Sequence, residues 1–170
     1  ADDWWAQLDP LFTNAFIGVG VAPEQSARLA TKVRGTYLAI ERWQLYDDTL
    51  PVLGALASQG WTHRVLSNHV PELDALLRGL GLGPLFDSVH TSAQIGYEKP
   101  HPHAFEAALG SVADGTPIWM VGDSVLADVQ GAEAAGIPAI LVRRQSDLAE
   151  HCCDDLTGVP GIIDGDGLLC

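Results

Sequence analysis

The sequence predicts an α/β fold, a doubly wound parallel sheet preceded by a small all-helical layer. Two observations carry this reading. From about residue 61 onward, short apolar runs alternate with amphipathic helical ones, the pattern of a parallel sheet covered by helices on both faces. Residues 1–45 show helical periodicity alone. A third observation, a hydrophobic content of 47%, provides enough apolar surface for a sizeable core. The expected division is residues 1–45 as the helical layer and 46–170 as the α/β core.

The elements follow in order. Trp4, Trp5, Leu8, Leu11, Phe12, Ala15 and Phe16 recur at helical spacing, until Gly18 and Gly20 break the pattern. Pro23 suits the first position of a second helix carrying Leu29, Val33, Tyr37 and Ile40. Asp47, Asp48 and Thr49 offer caps to a third, marked by Leu50, Leu53 and Leu56. Strands are expected at 64–66, 88–91, 117–121 and 139–142. Helices are expected around Leu73–Leu77, Phe105–Leu109 and Val125–Ala135, the last closed by Gly136.

Charge and composition exclude several classes. Acidic residues number 22 against 9 basic ones, a formal net charge of −13. Such a surface repels nucleic acid and anionic membranes, so neither is expected as a partner. No apolar run approaches the roughly 20 residues that span a bilayer. No secretory pattern stands at the N-terminus, so a cytoplasmic location is expected. Cys152, Cys153 and Cys170 form no CxxC pair, which leaves no zinc pattern and an expectation of free thiols. The chain opens on Ala1 rather than methionine, and processing or trimming is expected.

Three strand ends carry groups suited to chemistry, at the carboxyl edge where parallel sheets bind ligands. After Val65-Leu66 come Ser67 and Asn68; Ser67 can donate to a phosphoryl oxygen or simply cap a helix. Lys99 precedes Pro100, which holds it in a loop-like conformation; it is either a site cation or a solvated surface lysine. Gly122 permits a tight turn after Met120-Val121 and leads to Asp123, with Asp128 following. A carboxylate at a strand end suits Mg²⁺, and an N-cap aspartate is the alternative. His101 and His103 flank Pro102 and read as polar helix-start residues, with transition-metal binding as the rival.

Taken together and in this order, Ser67, Lys99 and Gly122-Asp123 with Asp128 resemble the haloacid dehalogenase superfamily. The resemblance implies a helical cap at 1–45 on a core at 46–170. It also implies Mg²⁺-dependent phosphatase chemistry on a small phosphorylated metabolite. In that pattern Ser67, Asn68 and Lys99 bind the phosphoryl group and Lys99 offsets charge. Asp123 holds Mg²⁺ and Asp128 supports it from behind. The family's first motif, Asp-x-Asp-x-Thr on a central strand, supplies the nucleophile and is not found ahead of the cap. The resemblance therefore implies a truncated chain, inactive alone, whose first central strand is missing. A partner copy could then supply or cover that strand as a homodimer. A circular permutation is the other route, with Asp164 as nucleophile and Asp166 as acid/base in Gly161-Ile162-Ile163-Asp164-Gly165-Asp166. A non-catalytic phosphate-binding or interaction module with the same fold is the competing function.

Overall fold

The computed structural model describes residues 1–110 and 112–165. They fall into two compact units. One comprises Ala1–Leu45 and Pro71–Gly83, the other Tyr46–Val70 and Pro84–Cys170.

The first unit is helical. It contains α1 (Asp2–Gly18), α2 (Pro23–Tyr37), a 3₁₀ turn at Ile40–Arg42, and α4 (Leu73–Gly79). Residues 71–83, read from sequence within the 46–170 segment, thus cluster with 1–45. Glu72, the N-cap residue of α4, shows why. Its carboxylate accepts from Trp5 Nε1 at 3.1 Å and from Arg34 at 2.8 Å, and Arg34 also pairs with Asp2. The tertiary pull of these bonds is invisible in the periodicity of 73–77. Gly79 completes the packing, because a Cβ there would sit 2.9 Å from Ile40 Cδ1. Trp5 is buried, and Trp4 meets it edge-on with ring centroids 5.2 Å apart.

The second unit holds α3 (Thr49–Ser58), β1 (His63–Ser67), β2 (Phe86–Thr91), α5 (Ser92–Ile95), α6 (Pro102–Leu109), β3 (Met120–Gly122), α7 (Gly131–Ala134), β4 (Ala139–Val142), β5 (His151–Cys153) and α8 (Val159–Ile163). Every strand pairing is parallel. Among the described residues the strands form two sheets, β1-β2 and β3-β4-β5. In register Ser67 lies opposite Thr91, and Gly122 opposite Leu141.

β4 shows the doubly wound logic most directly. All four of its residues are buried. Ala139 and Leu141 join a core with Phe105, Val129, Ala132 and Ile137, while Ile140 and Val142 join a second core with Val52, Leu56, Val159 and Ile162. Successive side chains of a strand point to opposite faces, so one four-residue strand serves both layers.

Several expectations need correction. The strand foreseen at 117–121 begins only at Met120, where pairing to Ala139 starts. The helix foreseen over 125–135 is π-helical at Val125–Gln130 and α-helical only at Gly131–Ala134. β5 was not foreseen, because three residues carry too little pattern. Of the caps offered by Asp47, Asp48 and Thr49, Asp48 takes the N-cap position of α3, yet its side chain makes no cap bond. Cys153 is a free thiol, as expected.

The tail also differs. Val159–Ile163 is helical, so the strand that the Asp164 alternative requires is not formed; Asp166 lies outside the described residues. Pro160 stands in the first helical turn, where its missing N–H is harmless. Val159 and Ile162, three apart, are both buried against the second core. Among the described residues no helix is long and apolar enough to cross a membrane.

The Asp48 side chain instead ties the front of α3 to the far end of the sheet. Both its oxygens accept from Arg143 Nη2, at 2.7 and 2.8 Å, and one also accepts from the Leu156 N–H at 2.8 Å. Arg143 directly follows β4 with φ 63°, a left-handed conformation rare outside glycine. Its guanidinium also lies 3.7 Å from the centre of the Tyr46 ring. Burial alone would raise the Asp48 carboxyl, but the Leu156 N–H and the Arg143 guanidinium outweigh it and hold it below the usual carboxylate range. The stabilisation is therefore complete above an unfolded-state pKa of about 3.9 and fades as pH falls through the lower folded value. Asp48→Asn is expected to cost about 1–3 kcal/mol at pH 7. Urea midpoints at pH 7 and pH 3 check it, because the gap between variant and wild type should narrow at the lower pH.

Candidate active site

Ser67, Asn68, Lys99, Asp123 and Asp128 belong to the α/β unit, at the carboxyl ends of β1 and β3, in the loop before α6 and in the π-helical turn after β3. Lys99 is the centre. Its side chain is 9% exposed, and Nζ donates to the Leu66 carbonyl at 2.7 Å and to Asp128 Oδ1 at 2.6 Å. The solvated-lysine alternative is thereby excluded. An ammonium carries three N–H donors, and among the described residues two are engaged. The third has no partner among the described residues.

Asp128 is the counter-charge, 7% exposed at the side chain. Its second oxygen accepts from the Ser124 N–H at 2.9 Å. Two local features put it there. The π-helical turn lets the Val129 N–H reach back five residues to the Ser124 carbonyl, which widens the turn carrying Asp128. Gly122 leaves the space: a Cβ there would lie 2.3 Å from the Asp128 carboxyl carbon. The sequence reading of Gly122 as a turn residue was therefore incomplete, since Gly122 belongs to β3 and is needed for close approach.

Asn68 reaches the same loop from β1. Its Nδ2 donates to the Lys99 carbonyl at 2.9 Å and its Oδ1 accepts from the Lys99 N–H at 2.7 Å. Sequence reasoning missed this role, because partners 31 positions apart leave no periodic trace. Ser67 ends β1 between Leu66 and Asn68 and is partly exposed. The helix N-terminus expected directly after it is not there. The next helix is α4, which starts at Leu73 in the other unit, and the His69 N–H is taken up by Ser92 Oγ at 3.2 Å. Any anion at this strand end thus depends on side chains more than on a helix dipole.

Asp123 follows β3 and is exposed. An exposed carboxylate at a strand end has the hard oxygen chemistry of one Mg²⁺ ligand. Asp128 is committed to Lys99 and the Ser124 N–H, which suits support and not direct ligation. Among the described residues no group of three or more His, Cys, Asp or Glu side chains could hold a metal. The residues present therefore do not complete a Mg²⁺ shell. Lys99 is paired with Asp128, so Asp123 leaves a local net negative charge.

His101 and His103 stand outside this network. His101 Nδ1 accepts from the His103 N–H at 3.2 Å, capping α6, and His103 pairs with Glu106. Both rings contact Tyr97, His101 tilted against it at 4.4 Å and His103 edge-on at 4.8 Å. This is the helix-start role.

The ion pair sets two expectations. Lys99→Met leaves an uncompensated buried carboxylate and should cost about 3–5 kcal/mol, whereas Lys99→Met with Asp128→Leu should recover most of it. Guanidinium denaturation of both variants decides. Gly122→Ala should cost at least about 1–3 kcal/mol through the clash with Asp128, read by the same method.

The family model for haloacid dehalogenase-like hydrolases matches residues 1–136. Haloacid dehalogenase-like hydrolase domain-containing protein 3 of Homo sapiens is 34% identical over 142 residues, covering 82% of this chain and 55% of that protein. Phosphoserine phosphatase of Thermus thermophilus is 33% identical over 136 residues, covering 79% of this chain and 53% of the enzyme. The chain thus spans about half the length of these curated relatives. A HAD phosphatase structure from Thermococcus onnurineus superposes with a TM-score of 0.71 at 21% identity, covering 98% of this chain and 93% of that one. A 2-haloacid dehalogenase structure from Pseudomonas syringae superposes with a TM-score of 0.73 at 24% identity, covering 95% and 71%. With its Lys99–Asp128 pair set between the ends of β1 and β3, this chain belongs to the haloacid dehalogenase-like hydrolase family.

Proposed function

We propose that the chain carries the phosphate-gripping part of a phosphatase for a small phosphorylated metabolite. The observation that supports this most is the remaining N–H of Lys99, held at the strand ends with its other two donors engaged. Ser67, at the end of β1, supplies a hydroxyl for a second phosphoryl oxygen. Phosphoserine phosphatase and glyceraldehyde 3-phosphate phosphatase, both relatives in sequence, act on substrates of this size and charge. The Asp123 carboxylate is proposed as one ligand of a Mg²⁺ ion, which when bound would offset the phosphate charge.

Turnover by this chain alone is not expected. The sequence contains no Asp-x-Asp-x-Thr. Asp128 is unsuited to attack phosphorus because both its oxygens are committed. On this reading the attacking carboxylate is supplied by a residue other than Asp128 and the proposed Mg²⁺ ligand Asp123. The chain would bind and orient the phosphoryl group without cleaving the ester.

Calorimetric titration with inorganic phosphate in the presence of Mg²⁺ tests the binding half. Wild-type chain is expected to bind, and Lys99→Ala to bind roughly 10- to 100-fold more weakly, the worth of one charge-assisted hydrogen bond. No heat with wild type up to millimolar phosphate would sink the reading. Hydrolysis of p-nitrophenyl phosphate tests the other half. It is expected to be absent, and clear turnover by the purified chain would place a nucleophile within it.

A further inference from the structure

We propose that Asn68 is the positioning residue for Lys99: its side-chain amide fixes the Lys99 main chain so that the amine is delivered between Leu66 and Asp128. The inference rests on the proposed phosphate role of Lys99 for its functional meaning, though not for its geometry.

The amide of Asn68 makes two bonds to one residue, accepting from the Lys99 N–H at 2.7 Å and donating to the Lys99 carbonyl at 2.9 Å. One donor and one acceptor on the protein side demand one amide orientation, so the pair is self-consistent. Both bonds come from a single planar group, so forming the first orders the second at little further entropy cost. Engaged in this way, the Asn68 side chain has its carbonyl oxygen and one N–H turned to Lys99 and keeps its second N–H.

The clamp is also well placed. Leu66, Ser67 and Asn68 are consecutive. The Leu66 carbonyl holds the tip of Lys99, and the Asn68 amide holds its root. Beyond the root, Pro100 packs beneath α7, where a Cβ on Gly131 would come within 3.0 Å of it. Ser67 therefore sits between two grips on the same lysine, and the distance from its hydroxyl to the amine is set by one strand end. An exposed asparagine is ordinarily replaceable; here its loss frees the backbone that aims a buried charge.

Lysine-selective ¹⁵N labelling reads this cleanly, because the sequence holds only two lysines, Lys99 and the exposed Lys32. In the wild-type chain the Lys99 amine should give a sharp signal and its backbone amide should exchange slowly. Asn68→Ala is expected to broaden or erase the amine signal and to speed Lys99 amide exchange at least about tenfold, while β4 amides stay protected. Asn68→Asp, which keeps the acceptor but not the donor, should leave the Lys99 amide protected and shift the amine signal less. If Asn68→Ala fails to fold, this near-isosteric variant decides. Unchanged Lys99 signals and exchange in a folded Asn68→Ala, or in Asn68→Asp an amide that exchanges as freely as in an unfolded chain, would overturn the proposal. Inorganic phosphate titrated into the same samples separates the two readings. No phosphate binding by wild type, with the Lys99 response intact, would remove the proposed function and leave the positioning role. Equal phosphate affinity in wild type and folded Asn68→Ala would remove the positioning role.

Discussion

A lysine ammonium 9% exposed is a demand on everything around it. Withdrawing an ion from water costs several kcal/mol, and attraction to one counter-charge repays this only with good geometry and further hydrogen bonds. Lys99 has both: Asp128 at 2.6 Å and the Leu66 carbonyl at 2.7 Å. Asp128 in turn needs the Ser124 N–H and a strand without a Cβ at position 122. The glycine, the π-helical turn and the strand-end carbonyl are local departures from regular structure that share one cause. Each lets two opposite charges meet away from water.

The scaffold around that pair is built for rigidity at the strand ends. β4 is buried on both faces, and its neighbour β3 ends in Gly122. Directly after β4, Arg143 accepts an unfavourable backbone conformation and in exchange engages Tyr46, Asp48 and, through Asp48, the Leu156 amide. Strained backbone persists where surrounding contacts over-determine it. Here a bidentate ion pair and a cation–π contact do so. The carboxyl edge of the three-stranded sheet is thus held by polar contacts on one flank and by the Lys99–Asp128 pair on the other.

The electrostatics of the site differ from those of the molecule. The chain as a whole carries −13, yet its candidate site presents a neutralised lysine, a hydroxyl at Ser67 and one exposed carboxylate at Asp123. The potential at such a place is set by the nearest charges and aimed donors as well as by net charge.

Local pattern alone was enough for most elements. The helices at 2–18, 23–37, 49–58 and 102–109 and the strands around Val65, Val89 and Ile140 follow from periodicity and caps, since those signals arise within a few residues. Ser67, Lys99 and Gly122-Asp123 stood out for the same reason: each lies at a junction between a strand and a helix or loop. What the sequence could not determine are relations between distant positions. The grouping of 71–83 with 1–45 depends on Glu72 meeting Trp5 and Arg34. The division into two sheets depends on which strands pair, and the helical form of 159–163 depends on the core that receives Val159 and Ile162. In the sequence Asn68 is a candidate phosphate-binding residue; only folding brings its side chain to the Lys99 main chain. The sequence by itself determined which residues could bear charge and donate hydrogen bonds. Only the tertiary structure decided which of them meet, because pairing energies between residues tens of positions apart are realised after the chain has closed around them.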